Sequence, residues 1–275
     1  ALELKNQYID LQEKYISKVI DKARIVQKDV FLNSNNLDFF FEDSFVFEQA
    51  REVLNSTFYH CKEISENQLL FVFIDCGNED SASVITQIHV YHILQKILID
   101  TIEPIKIMES LETLIHLFDL KINIVLQKEN ELNVVSNTTS IIYQTKEKIE
   151  CVLNSSETIE EVVLKNVEAF WLFSEGIISQ RNHDDNQSYS PQQLLHFIDK
   201  TKTLSKKEQF SEWENELDEF GLVKQNITIL GSARYCKEWK NIMDRILPPE
   251  ESLYNIGNNK LKVLYMDLPH YDEYN

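Results

Sequence analysis

The chain has 275 residues, 43% of them hydrophobic, which is enough to build one large domain, or one domain with an arm, around a sizeable core. Its 45 acidic residues against 27 Lys and Arg leave a formal charge of -18, which argues against general attraction to nucleic acid or to an anionic membrane surface. Five glycines and five prolines exclude Gly-rich phosphate loops, collagen-like repeats and flexible linkers as the organising feature.

Residues 2–28 place Leu4, Tyr8, Leu11, Tyr15, Val19, Ala23 and Val26 at spacings of three and four. That is the period of an amphipathic helix, so an N-terminal helical arm is predicted over 1–30. Lys18 and Lys22 interrupt the seam that a coiled coil needs. A core over 37–275 follows, in which short apolar runs at 37–41, 69–74, 105–108, 162–164, 227–230 and 261–268 alternate with helical stretches at 46–64, 81–100, 111–120, 191–220 and 235–246. Continuous short runs fit strands covered on both faces of a parallel sheet, and the alternation of strand and helix implies an α/β fold. Residues 122–152 break the rhythm with four short β-rich runs, read as a small antiparallel insertion. Residues 179–190 are polar and unpatterned, hence a surface loop.

The longest apolar run, 69–74, is far short of the ~20 residues of a membrane span. Cys61, Cys76, Cys151 and Cys236 stand apart with no Cys-x-x-Cys pair, the pattern of a reducing intracellular compartment. The chain opens at Ala1 rather than Met, as a trimmed chain does.

The turn where an α/β nucleotide-binding protein cradles phosphate reads Phe41-Glu42-Asp43-Ser44-Phe45. It has no glycine to admit a phosphate and no lysine to neutralise one, and its two carboxylates repel it. Asp43 or Ser44 is then simply a helix cap. The run at 69–74 ends in Asp75-Cys76-Gly77-Asn78, an acidic strand end with a turn glycine. A short strand at 105–108 leads through Ser110 into an amphipathic helix, and 162–164 leads through Lys165-Asn166 to Ala169-Phe170-Trp171-Leu172-Phe173. The fifth strand runs into Gly231-Ser232-Ala233-Arg234.

In this order the segments resemble the ATPase core of RecA-type recombinases, most of all the small eukaryotic recombinase paralogues, over residues 37–268. The resemblance implies a RecA-like P-loop-type core with a mostly parallel sheet, in which Glu42, Asp43, Ser44 and Lys165 occupy degenerate phosphate and magnesium positions. With that chemistry gone, no catalytic residue, no cofactor and no ATPase activity are expected. The implied function is that of a non-catalytic nuclear subunit supporting homologous recombination and DNA repair. It would pair with another recombinase paralogue, assist the recombinase filament, and meet single-stranded or branched DNA through the complex. An alternative is a degenerate AAA+ or initiator-like scaffold of a replication or chromatin assembly, suggested by the ending Tyr265-Met266-Asp267-Leu268-Pro269-His270-Tyr271. A third reading is a metal-dependent enzyme with Asp75 and Asp267 as ligands.

Interaction candidates follow. Phe170, Trp171 and Phe173 are either a partner anchor or core aromatics. Phe47-Glu48-Gln49-Ala50 has the Phe-x-x-Ala spacing of recombinase docking, and also that of a buried helix face. His89 and His92 lie one helical turn apart without a third ligand. DNA-binding candidates are Arg181 in the polar loop and Arg234, Lys237 and Lys240 interleaved with Tyr235 and Trp239, set against an ordinary charged helix face. No His-Glu-x-x-His or Gly-x-Ser-x-Gly signature occurs.

Overall fold

The computed structural model describes Lys18, residues 21–23, 25, 31, 37 and 41, and then 44–49, 55–65, 68–77, 81–137, 141–152, 159–182, 187–222 and 227–233. Twelve strands form among these residues: β1 (Ser44–Gln49), β2 (Thr57–Ser65), β3 (Gln68–Asp75), β4 (Lys121–Lys128), β5 (Glu131–Ser136), β6 (Ile141–Gln144), β7 (Ile149–Val152), β8 (Glu160–Leu164), β9 (Ala169–Phe173), β10 (Arg181–Asn182), β11 (Gly221–Leu222) and β12 (Ile227–Ala233). The helices are α1 (Ser81–Asp100), α2 (Pro104–Phe118), α3 (Gly176–Ser179), α4 (Pro191–Thr201) and α5 (Lys206–Phe220). One five-stranded sheet has the order β2-β3-β4-β5-β8 and a second the order β1-β12-β9-β6-β7, with β10 and β11 paired apart.

Strand β3 shows why these residues make layers. Successive side chains of a strand point to opposite faces, and here Leu70, Val72 and Ile74 pack with Val90, Leu94, Leu98, Met108 and Leu111 of α1 and α2. Leu69, Phe71 and Phe73 point the other way, into a core shared with Phe170, Leu172 and Leu230 of the second sheet. That sheet's outer residues, among them Phe47, Trp171, Phe173 and Ile229, pack with Phe197, Trp213 and Leu217 of α4 and α5. The result is helices, sheet, sheet, helices, with three apolar clusters between the layers.

Every pairing between described strands is antiparallel, so the mostly parallel RecA-like core expected from the sequence is corrected. Continuous apolar runs do report burial on both faces, but an antiparallel strand held between a helix layer and a second sheet is buried in the same way. The helix expected over 46–64 is replaced by β1 and β2. The strand expected at 105–108 lies inside α2, where Pro104 occupies the first turn and Ile107, Met108, Leu111 and Leu114 line the buried face. Residues 122–152 are antiparallel as read, yet they are no insertion: β4 and β5 lie inside one sheet, and β6 joins β7 to β9 in the other. The single helix expected over 191–220 is two, each opened by a capping box, Ser190 with Gln193 and Ser205 with Glu208.

The strand at 69–74, the helix at 81–100 and the strands at 162–164 and 227–230 stand as read. Of the arm, Lys18, residues 21–23 and Ile25 are helical, and Phe31 stacks on Phe58 with ring centroids 5.0 Å apart. The expected elements at 235–246 and 261–268 lie outside the described residues.

Candidate functional site

At one end of the sandwich the two sheets are joined by polar side chains. Strand β3 ends at Asp75, which is 4% exposed. Its Oδ1 accepts hydrogen bonds from Ser56 Oγ at 3.1 Å and from the Gly77 N–H at 3.0 Å. Gly77 has φ +63, a left-handed conformation that glycine adopts without cost, and it lets the chain turn back so that its N–H meets the carboxyl. The Ser56 carbonyl accepts from the Cys76 N–H at 3.0 Å, so the Asp75 turn is clamped on both sides. Burial raises the Asp75 pKa, against the lowering influence of the Gly77, Ser56 and Glu175 hydrogen bonds and of nearby Lys121. Lys121 stands opposite Asp75 in the β3–β4 ladder and also pairs with Asp119 at 2.9 Å.

Beside it, Thr57 pairs with Asp75 across the β2–β3 ladder. The Thr57 hydroxyl meets the Thr228 hydroxyl of the second sheet and donates to Asn55 Oδ1 at 2.9 Å. Asn55 Nδ2 donates to Thr228 Oγ1 at 3.2 Å and to Glu48 Oε1 at 2.9 Å. A consistent set of protons runs around this ring, Asn55 to Thr228 to Thr57 to Asn55. Gln87 of α1 fixes the Asn55 carbonyl with a 2.6 Å hydrogen bond, and Ser174 Oγ accepts from the Thr228 N–H at 2.9 Å. Six separate segments thus converge on one spot.

The donors there are mostly neutral. Among the described residues no three of His, Cys, Asp and Glu come together as metal ligands. Among the described residues Asp75 is the buried carboxyl at this end and Glu48 is a second carboxyl, bonded to Asn55, while the hydroxyls and amide between them carry no charge. This set does not fit a pair of divalent cations, which need several charged oxygens.

Of the residues singled out in the sequence, Asp75 with its turn Gly77 belongs to this site, and Glu48 reaches it through Asn55. Ser44 opens β1 and caps no helix, while Glu42 and Asp43 lie outside the described residues. Lys165 follows β8 at the surface, with its Nζ 3.7 Å from Glu131 Oε1, and Asn166 with φ +59 makes the turn beyond it. Phe170, Trp171 and Phe173 are buried in β9. Phe47 is a buried strand residue against Phe210, not part of a docking helix. His89 and His92 are exposed on α1. Arg181 is exposed on β10 and donates to Ser188 Oγ. Arg234, Tyr235, Lys237, Trp239, Lys240 and Asp267 lie outside the described residues. Asn55, Ser56, Thr57, Ser174 and Thr228 were missed by the sequence reading. Asn55, Ser56 and Thr57 carried one signal, an Asn-Ser turn pair running into β-formers.

No family model matches the chain, and no curated protein matches its sequence. Solved structures do match. The SiaA-PP2C domain of Pseudomonas aeruginosa is 14% identical, with a TM-score of 0.71 over 81% of this chain and 98% of that one. The PP2C phosphatase domain and regulatory fragment of the cell fate determinant SpoIIE from Bacillus subtilis is 15% identical, with a TM-score of 0.54 over 70% of this chain and 62% of that one. A bacterial serine phosphatase, in a form bearing an arginine-to-alanine mutation, is 13% identical, with a TM-score of 0.50 over 70% of this chain and 97% of that one.

These likenesses overturn the RecA-like recombinase resemblance, and with it the roles in homologous recombination and DNA repair and the AAA+ alternative. The expectation that the chain is not an enzyme rested on a lost ATP site in a fold it does not have, and it falls too. Two antiparallel sheets between helix layers are the fold this chain shares with PP2C phosphatase domains.

Proposed function

We propose that the chain is a serine-phosphatase-type domain directed at a phosphorylated serine or threonine of a partner protein, received at the Asp75 end of the sandwich. The observation that carries this reading is the likeness to nearly the whole SiaA-PP2C domain, at a TM-score of 0.71 over 98% of it. Local chemistry supports it. An ionised carboxylate repels a phosphoester, whereas burial favours the neutral form of Asp75, and Lys121 across the ladder supplies a positive charge.

Phosphoserine and phosphothreonine peptides, each with its unphosphorylated twin, test the reading by calorimetry, with phosphate release followed in parallel in the presence of Mn²⁺. Binding that depends on the phosphate, or its release, is the expected result. Equal treatment of both members of every pair overturns the proposal.

A further inference from the structure

Phosphoester hydrolysis in this fold calls for a divalent centre, and such a centre demands negative charge first. The described sandwich end offers something else. We infer that it holds no divalent cation centre, and that direct hydrogen bonds between Asn55, Thr57 and Thr228 close the gap between the sheets that cations would otherwise bridge.

Three observations converge. Asp75 Oδ1 is already engaged by Ser56 and Gly77. The neighbour that shares its ladder position, Thr57, is a hydroxyl rather than a second carboxylate. That hydroxyl is in contact with Thr228 of the opposite sheet, and Asn55 closes the ring. A cation entering between Thr57, Thr228 and Asn55 has to break these hydrogen bonds, and the Asp75 oxygen it meets is already shared with Ser56 and Gly77. The inference concerns cations alone: a failure of the phosphoprotein reading leaves it standing, whereas phosphate release that needs Mn²⁺ and is lost in Asp75→Asn overturns it.

The test uses the full chain and Mn²⁺ alone. Calorimetric or paramagnetic titration is expected to show no Asp75-dependent binding below about a millimolar, and the melting temperature is expected to be the same in excess chelator as in Mn²⁺. Binding that Asp75→Asn leaves unchanged lies elsewhere on this acidic chain and agrees with the inference. Tighter binding that Asp75→Asn abolishes, or a melting temperature that drops on chelation and is restored by Mn²⁺, overturns it. Thr57→Asp places a second carboxylate beside Asp75 and is expected to create Mn²⁺ binding and a Mn²⁺-dependent rise in melting temperature. Should that variant fail to fold by circular dichroism, the titrations of the parent and of Asp75→Asn decide the question.

Discussion

Trp171 occupies the space that a side chain on Gly231 would need. The two face each other in the β9–β12 ladder, and a Cβ on Gly231 would lie 2.7 Å from Trp171 Cδ1 and 2.2 Å from Phe45 Cε1 on the other side. Both rings are buried and packed against α4 and α5 in the same cluster, so neither swings away freely. Gly231→Ala therefore trades a chain-entropy gain of roughly 0.4–1 kcal/mol against overpacking of about 1–3 kcal/mol. The net is destabilising, and it should appear as a lower urea midpoint at unchanged slope. A midpoint equal to or above the parent's would show that the rings yield.

Thr228 sits at the polar end of the same strand. Thr228→Val keeps the shape and removes the hydroxyl, leaving Asn55 Nδ2 and Thr57 Oγ1 each short of a partner in a buried setting. Thr57 still donates to Asn55 and Asn55 to Glu48, so the loss expected from urea denaturation is that of the hydrogen bonds removed, about 0.5–1.5 kcal/mol each. Combining Thr228→Val with Thr57→Val removes both hydroxyls at once and should cost less than the sum of the single changes. Strict additivity would mean that the two hydroxyls do not interact.

The sequence carried the burial of these strands but not their partners. The run at 69–74 was legible because its residues are apolar at every position, and burial on both faces demands that in parallel and antiparallel sheets alike. Direction is set by which strands meet, and β3 pairs with β2 on one side and, beyond α1 and α2, with β4 on the other, which no local pattern encodes. The segment 46–64 was read as a helix, although Thr57, Phe58 and Tyr59 are better strand formers than helix formers. That misreading hid Asn55, Ser56 and Thr57 from view. Thr228 lay in a strand read as such, yet its role depends on Thr57, 171 positions away. Asp75 was visible as an acidic strand end, and only the fold shows what surrounds it.

His60, on β2, gives a pH signature. It is buried, and desolvation first, then the charge of Lys62, lowers its pKa from 6.5 to about 4. Below 6.5 the unfolded chain takes up a proton that the folded chain refuses, so this residue's contribution to stability is lost as pH falls toward 4, with a slope of at most about 1.4 kcal/mol per pH unit. Replacing it by Gln removes that proton. The stability difference between parent and His60→Gln, measured by urea denaturation, should change steadily from pH 6.5 to 4 and level off above. A difference that is flat across this window would mean that His60 titrates normally in the folded chain.

Asp75 should behave with the opposite sign. Its pKa is raised by burial above the ordinary 3.8, so once pH passes 3.8 the unfolded chain releases a proton that the folded chain still holds. Stability associated with Asp75 is full below that value and is lost as pH rises through the folded pKa. Asp75→Asn has no proton to release and keeps an oxygen to accept from Ser56 and Gly77. The variant should therefore gain on the parent as pH is raised from 3.8, and the gain should stop once the parent's carboxyl has ionised. The comparison needs full urea curves at each pH, because the slope must stay constant for the midpoints to report stability alone. A variant whose deficit is the same at every pH, or grows as pH rises, would show that Asp75 is ionised in the folded chain like a solvent-exposed carboxylate, and that its hydrogen bonds outweigh its burial.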